Sequence, residues 1–168
     1  PANVPGTSYF GAGPADEYHN APEKTEGVRD PQGRGWTTLG DVGYVDDDGW
    51  LYLTDRQAFM IISGGVNIYP QEIEDCLVMH PKVADVAVFG VPDDEMGEAV
   101  HAAVQPAEGI DGDEALAGEL RSYVREHIAH FKCPQRFEFH DELPRLPTGK
   151  LYKNKLRSPH WDNRDRDI

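Results

Sequence analysis

Basic residues are scarce in this chain: 16 Lys and Arg stand against 30 Asp and Glu in 168 residues, a formal net charge of −14 at pH 7. A surface that acidic disfavours nucleic acid or an anionic membrane as a broad-face partner. Cysteine is nearly absent. Cys76 and Cys133 are far apart, with neither disulfide-framework nor metal-type spacing, so a reducing cytoplasm is the expected compartment. No apolar run approaches the ~18 residues that a membrane-spanning helix requires, which excludes such a span. The N-terminus has no charged-then-apolar leader, and the first residue is Pro1, so the start reads as a cut from something longer. What remains is an ordinary globular composition, 39% hydrophobic and 27% charged, with a length suited to one domain or to one small domain plus part of another.

The charge is unevenly spread. Between positions 145 and 157 lie Arg145, Lys150, Lys153, Lys155 and Arg157 and no acid, a cationic window fit for a nucleotide or another small polyanion; an exposed basic helix explains the same run. Positions 1–35, rich in Gly, Pro, Ala and Asn, show no sustained period and read as connections. From Gly35 onward the pattern sharpens. Val42–Val45 and Trp50–Thr54 are strand-like around an Asp47-Asp48-Gly49 turn, which predicts a hairpin. Phe59–Ile62 and Val66–Ile68 read as short strands around Ser63-Gly64-Gly65. Pro70 opens a helix that Pro81 stops, with Ile73, Cys76 and Leu77 on one face. Val83–Val91 and Ala99–Val104 alternate as an antiparallel pair. Asp111 with Glu114 forms a capping box for a helix reaching about His130, Arg136–His140 alternates as a third strand, and a short helix ends the chain. The expected fold class is α+β: a three-stranded antiparallel sheet packed by helices, preceded by a β-hairpin and an irregular stretch.

Few residues point to chemistry when taken singly. Pro147-Thr148-Gly149-Lys150 resembles the end of a phosphate-binding loop, but Pro144 stands where that pattern needs its first glycine, so it is no P-loop. A lysine behind a glycine turn can still place an ammonium against a phosphate or a developing charge. Seven histidines are scattered; only His127 and His130 share a helical spacing, and no metal site is predicted. Asp46-Asp47-Asp48 lacks the alternation of a calcium loop. Cys76 reads as packing, and Trp50, Tyr52, Phe137 and Phe139 as core or cross-strand residues.

Taken in order, four segments resemble the adenylate-forming enzymes, the family of acyl-CoA synthetases, peptide-synthetase adenylation domains and luciferases. They are Ala21-Pro-Glu-Lys-Thr25; Gly35-Trp-Thr-Thr-Leu-Gly-Asp-Val-Gly43 with Asp48-Gly49; Asp55-Arg56 with Ile61-Ile-Ser-Gly-Gly-Val-Asn-Ile-Tyr-Pro-Gln-Glu-Ile-Glu74; and Leu146-Pro-Thr-Gly-Lys150. The wording of the last two is similar to fatty-acid CoA ligases.

The resemblance implies a division into residues 1–56, the end of a large adenylation domain; a hinge at 55–59; a small C-terminal lid domain over 57–158; and a tail over 159–168. It implies activation of a carboxylic acid, of the fatty-acid class, by ATP as acyl-AMP, then transfer to CoA, with magnesium accompanying ATP on ligands in the family's large N-terminal domain. That domain is the implied protein partner, and residues 1–168 alone are expected to be inactive. Lys150 takes the catalytic place; Asp41 and Arg56 the ATP or AMP contacts; Ser63, Gly64 and Gly65 the loop beside the pantetheine arm of CoA. Lys153 and Lys155, with Arg157, are candidates for CoA phosphates. Ala58 departs from the family, whose hinge position is usually Asp or Lys. Two rivals are a ligase that loads a carrier-protein thiol and a noncatalytic module that keeps the fold.

Overall fold

The computed structural model describes residues 7–8, 11–12, 22–30, 33, 36–38 and 40–161, which fall into two units, Pro1–Ala58 and Phe59–Ile168. Most of the stretch expected to be irregular at 1–35, and the tail beyond 161, lie outside the described residues. The first unit holds β1 (Thr7–Ser8), β2 (Gly11–Ala12), α1 (Pro22–Gly27), β3 (Trp36–Thr37), β4 (Asp41–Val45) and β5 (Leu51–Arg56). β4 and β5 form the expected hairpin, and β1 adds to the other edge of β4. Its turn is built by Asp46, whose Oδ1 accepts from the backbone N–H groups of Asp48 (3.1 Å) and Trp50 (2.9 Å). Those donors hold the Asp46 carboxyl below its ordinary pKa. Gly49 closes the turn with φ 87°, a conformation that suits glycine. Tyr44 and Tyr52 stack across the strands at 5.0 Å, the cross-strand role expected of Tyr52, whereas Trp50 is exposed.

The second unit runs β6 (Ile61–Ser63), β7 (Val66–Ile68), α2 (Pro70–Val78), β8 (Val83–Asp93), β9 (Gly97–Pro106), α3 (Glu114–His127), β10 (Arg136–Phe139) and α4 (Lys153–Trp161). It is the α+β layer expected, but its sheet is larger and mixed. β8 and β9 pair antiparallel along their length, β6 and β7 join as a fourth and fifth strand through Ser63 and Gly97, and β10 lies parallel to β9. The wholly antiparallel expectation fails because α3 carries the chain back across the sheet, so β10 starts at the end where β9 started. The predicted capping box at Asp111 is also corrected. Asp113 is the N-cap, its carboxylate accepting from Leu116 N–H at 2.8 Å, and the helix begins at Glu114.

Strand alternation sorts β8 into two cores. Val86 and Val88 join Ile61, Ile73, Leu77, Val104, Leu120 and Val124 beneath α2 and α3, while Ala87, Phe89 and Val91 join Leu143, Leu151 and Leu156 on the face that α4 covers. Both faces are therefore buried, and β8 reads as a continuous apolar run rather than as alternation. No helix among the described residues is long and apolar enough to cross a membrane.

Candidate functional site

Lys150 closes a short loop between Leu143 and α4. Leu146 N–H donates to Lys150 O and Gly149 N–H to Leu146 O, both at 2.8 Å, and Tyr152 N–H donates to Pro144 O at 2.8 Å. Gly149 supplies φ 82° for the reversal. Arg145 braces the loop from within, donating to Gly149 O at 2.8 Å and pairing with Asp85 near the start of β8. The loop is thus rigid by its own hydrogen bonds, while Lys150 is exposed at its end.

Of the rest of the cationic window, Arg145, Lys153 and Arg157 are spent on pairs within the fold. Lys153 pairs with Glu74 of α2 at 2.7 Å, with side chains only 12% and 10% exposed, and lies over the Phe59 ring. Glu74 also accepts from Val88 N–H at 2.6 Å, so one buried carboxylate ties α2, β8 and α4 together. Arg157 approaches Glu98 at 4.0 Å and lies over Trp161, whose indole N–H donates to Gly90 O. Glu98 in turn accepts from Ile62 N–H at 3.0 Å; a Cβ on Gly90 would come within 2.5 Å of that carboxylate, which explains the glycine. Lys153, expected at a CoA phosphate, therefore serves as a buried anchor of α4, and of the two lysines named for that contact Lys155 alone is exposed. Sequence reading missed Glu74 and Glu98 because the cation near each lies far along the chain.

Ser63-Gly64-Gly65-Val66 is a two-residue hairpin turn, with Gly64 at φ 56° and Gly65 at φ 78°. Gly64 N–H donates to Met96 O at 2.8 Å, and a Cβ at Gly64 would meet Met96 Sδ at 3.2 Å. Asp93 shapes the facing turn by accepting from Glu95 and Met96 N–H. Beside these turns is a cavity of about 480 Å³, whose lining includes Ser63, Gly64, Met96, Phe131, Arg121 and Arg125; the two arginines were not singled out in the sequence. Burial raises the pKa of Cys76 and of Cys133, which disfavours the thiolate at either. Lys150 and Ser63–Gly65 attach to opposite ends of β8, through Asp85 and through the turn after Asp93, so a strand length of about 25 Å separates their anchors.

In the first unit, the β4–β5 register places Asp41 opposite Arg56 at one end of the hairpin, so the two residues named for the nucleotide are neighbours in the backbone. Ala58 is exposed within the 3₁₀ turn Gln57–Phe59, where the chain passes from one unit to the other.

Residues 72–150 match the AMP-binding enzyme C-terminal domain. The chain is 40% identical over 153 residues to the fatty acid–[acyl-carrier-protein] ligase ScoC of Streptomyces coeruleorubidus, covering 90% of this chain and 28% of that protein. It is 42% identical over 144 residues to the long-chain-fatty-acid–CoA ligase FadD13 of Mycobacterium tuberculosis, covering 86% of this chain and 27% of the relative. Among solved structures, ATP-bound MatB from Rhodopseudomonas palustris superposes with a TM-score of 0.73 at 36% identity, over 85% of this chain and 27% of that one. The chain thus spans little more than a quarter of the length of these relatives.

Proposed function

We propose, from the premise that this chain carries the C-terminal domain of the AMP-binding, adenylate-forming enzyme superfamily, that it is the lid of an ATP-dependent acid–thiol ligase. In the first step a carboxylate oxygen attacks the α-phosphorus of ATP and pyrophosphate leaves. In the second the sulfur of CoA attacks the acyl carbonyl, AMP leaves and the thiol proton passes to solvent.

The observation that carries this reading is the exposed Lys150 on a hydrogen-bonded loop. A cation held in place before reaction stabilises charge that the carboxylate and α-phosphate share only in the transition state, and such differential contact lowers a barrier. The Ser63-Gly64-Gly65 turn lets a thin pantetheine arm run close to the backbone, and Arg121 and Arg125 put positive charge in the neighbouring cavity. With about 25 Å between their anchors, the two elements serve one reaction centre in turn and not together, so the lid must pivot between steps. Residues 55–59, with Ala58 exposed among them, are the proposed pivot, residues 1–56 the end of the large domain, and Asp41 and Arg56 its nucleotide contacts. The reading places the enzyme in the cytoplasm.

Magnesium would accompany ATP, but the described residues do not fit it. Their one cluster of three ligating side chains contains two imidazoles, whereas magnesium takes hard oxygen donors. A fatty acid is the proposed substrate, on the naming of the relatives ScoC and FadD13. ScoC also favours a second reading, in which the acceptor thiol sits on a carrier protein; the pantetheine arm is common to both.

The test joins residues 1–168 to the large N-terminal domain and follows pyrophosphate release across a panel of carboxylic acids, with CoA or a phosphopantetheinylated carrier protein. CoA-dependent turnover on fatty acids, abolished in Lys150→Ala, supports the ligase. Transfer only to the carrier protein selects the second reading, and pyrophosphate release that ignores Lys150 overturns both.

A further inference from the structure

On the α4 side of the sheet, three imidazoles converge on one carboxylate. The parallel pairing of β10 with β9 sets His101 opposite Arg136, which brings Glu138 to the same face two residues on, and the last turn of α4 delivers His160. His101 Nε2 lies 3.3 Å and His160 Nε2 3.6 Å from Glu138 Oε2, and the three ligand atoms all lie within 4.8 Å of one another. His140 Nε2 faces the other carboxylate oxygen, Oε1, at 3.1 Å.

We propose that His101, Glu138 and His160 form a binding site for a divalent transition-metal ion of the zinc type, which fastens α4 to the sheet. Zinc bonds of about 2.0–2.2 Å at tetrahedral angles put neighbouring ligand atoms roughly 3.3–3.6 Å apart, and two of the three edges here already have that length. Two imidazoles and one carboxylate suit zinc, cobalt or nickel and not magnesium or calcium. The side chains are 6%, 44% and 31% exposed for His101, Glu138 and His160, so protein closes one side and water can fill the fourth position from the other. Among the described residues His101 Nδ1 has no hydrogen-bond partner, so the ring's polar contact runs through Nε2, which faces Glu138 and would bind the ion. His140 Nε2, buried and without a hydrogen bond among the described residues, lies on the Oε1 side of the same carboxylate. Sequence spacing could not show the site, because its members come from β9, β10 and α4.

The test is titration of the 168-residue chain, stripped with a chelator, with Zn²⁺ against a chromophoric competitor, and with Co²⁺ followed by its visible absorption. One ion per chain, a tetrahedral cobalt spectrum and a higher Tm with zinc are expected. His160→Ala, at the half-exposed end of α4, should fold and weaken binding at least about ten-fold, whereas His127→Ala on α3 should not. The proposal is overturned if zinc does not bind saturably, if His160→Ala binds with unchanged affinity, or if His127→Ala loses as much.

Discussion

The Lys150 loop and helix α4 are neighbours in sequence and carry the same charge, yet the fold uses them in opposite ways. Lys153 and Arg157 turn inward to Glu74 and Glu98, which are 8% and 5% exposed, and their charges hold a helix in place. Lys150 turns outward, and Arg145 spends its own charge on keeping the loop in shape. A cationic window is therefore no measure of a binding site. What matters is whether an acid inside the protein has already claimed each cation.

On the proposed ligase reading, the sharpest way to break this contrast is Lys150→Ala in the chain joined to a large adenylation domain of the family. Adenylation should fall by about 10² to 10³, as for loss of one preorganised donor, while transfer from preformed acyl-AMP to CoA is largely kept and the Tm of the chain is unchanged. Equal losses in both half-reactions, read by pyrophosphate and thioester assays, would show that the lysine has no step-specific role. Lys153→Ala should do the reverse. It removes the cation paired with buried Glu74, leaving the Val88 N–H bond, and costs about 3 kcal/mol in a denaturant titration, in the range for breaking a buried pair; a cost near zero would mean that the pair is solvated.

A smaller effect comes from His101, whose imidazole is pushed down to about 4 by burial, with His160 adding repulsion. Its folded-state pKa lies below the ordinary 6.5, so the folded state binds fewer protons between those values. In metal-free buffer, stability should be full above pH 6.5 and decline as pH falls toward 4, and His101→Gln should flatten that slope. The smallest expected effect is that of Lys155→Ala. As an exposed residue it should shift stability by less than about 0.5 kcal/mol, and a raised KM for CoA with kcat unchanged would assign it to a CoA phosphate.

Local signals carried much of the second unit. Proline at the start of α2, the two glycines after Ser63 and the apolar β-branched runs of β8 and β9 act through backbone conformation and side-chain type, which are local properties of the chain. The fold class and the resemblance of the Ser63–Glu74 and Leu146–Lys150 segments were legible for the same reason. The cap of α3 was misplaced because Asp111 and Asp113 are both good caps and only packing of the helix chooses between them.

By itself, then, the sequence determined the order and type of most strands, helices and tight turns of the second unit, and singled out Lys150 behind its glycine turn as a candidate. Tertiary structure alone decided the parallel placement of β10, the burial of both sheet faces, the capture of Lys153 and Arg157 by Glu74 and Glu98, and the meeting of His101, Glu138 and His160. Each of those is a pairing between residues far apart along the chain. Such pairings are fixed by which surfaces can be buried together, and no local pattern records them.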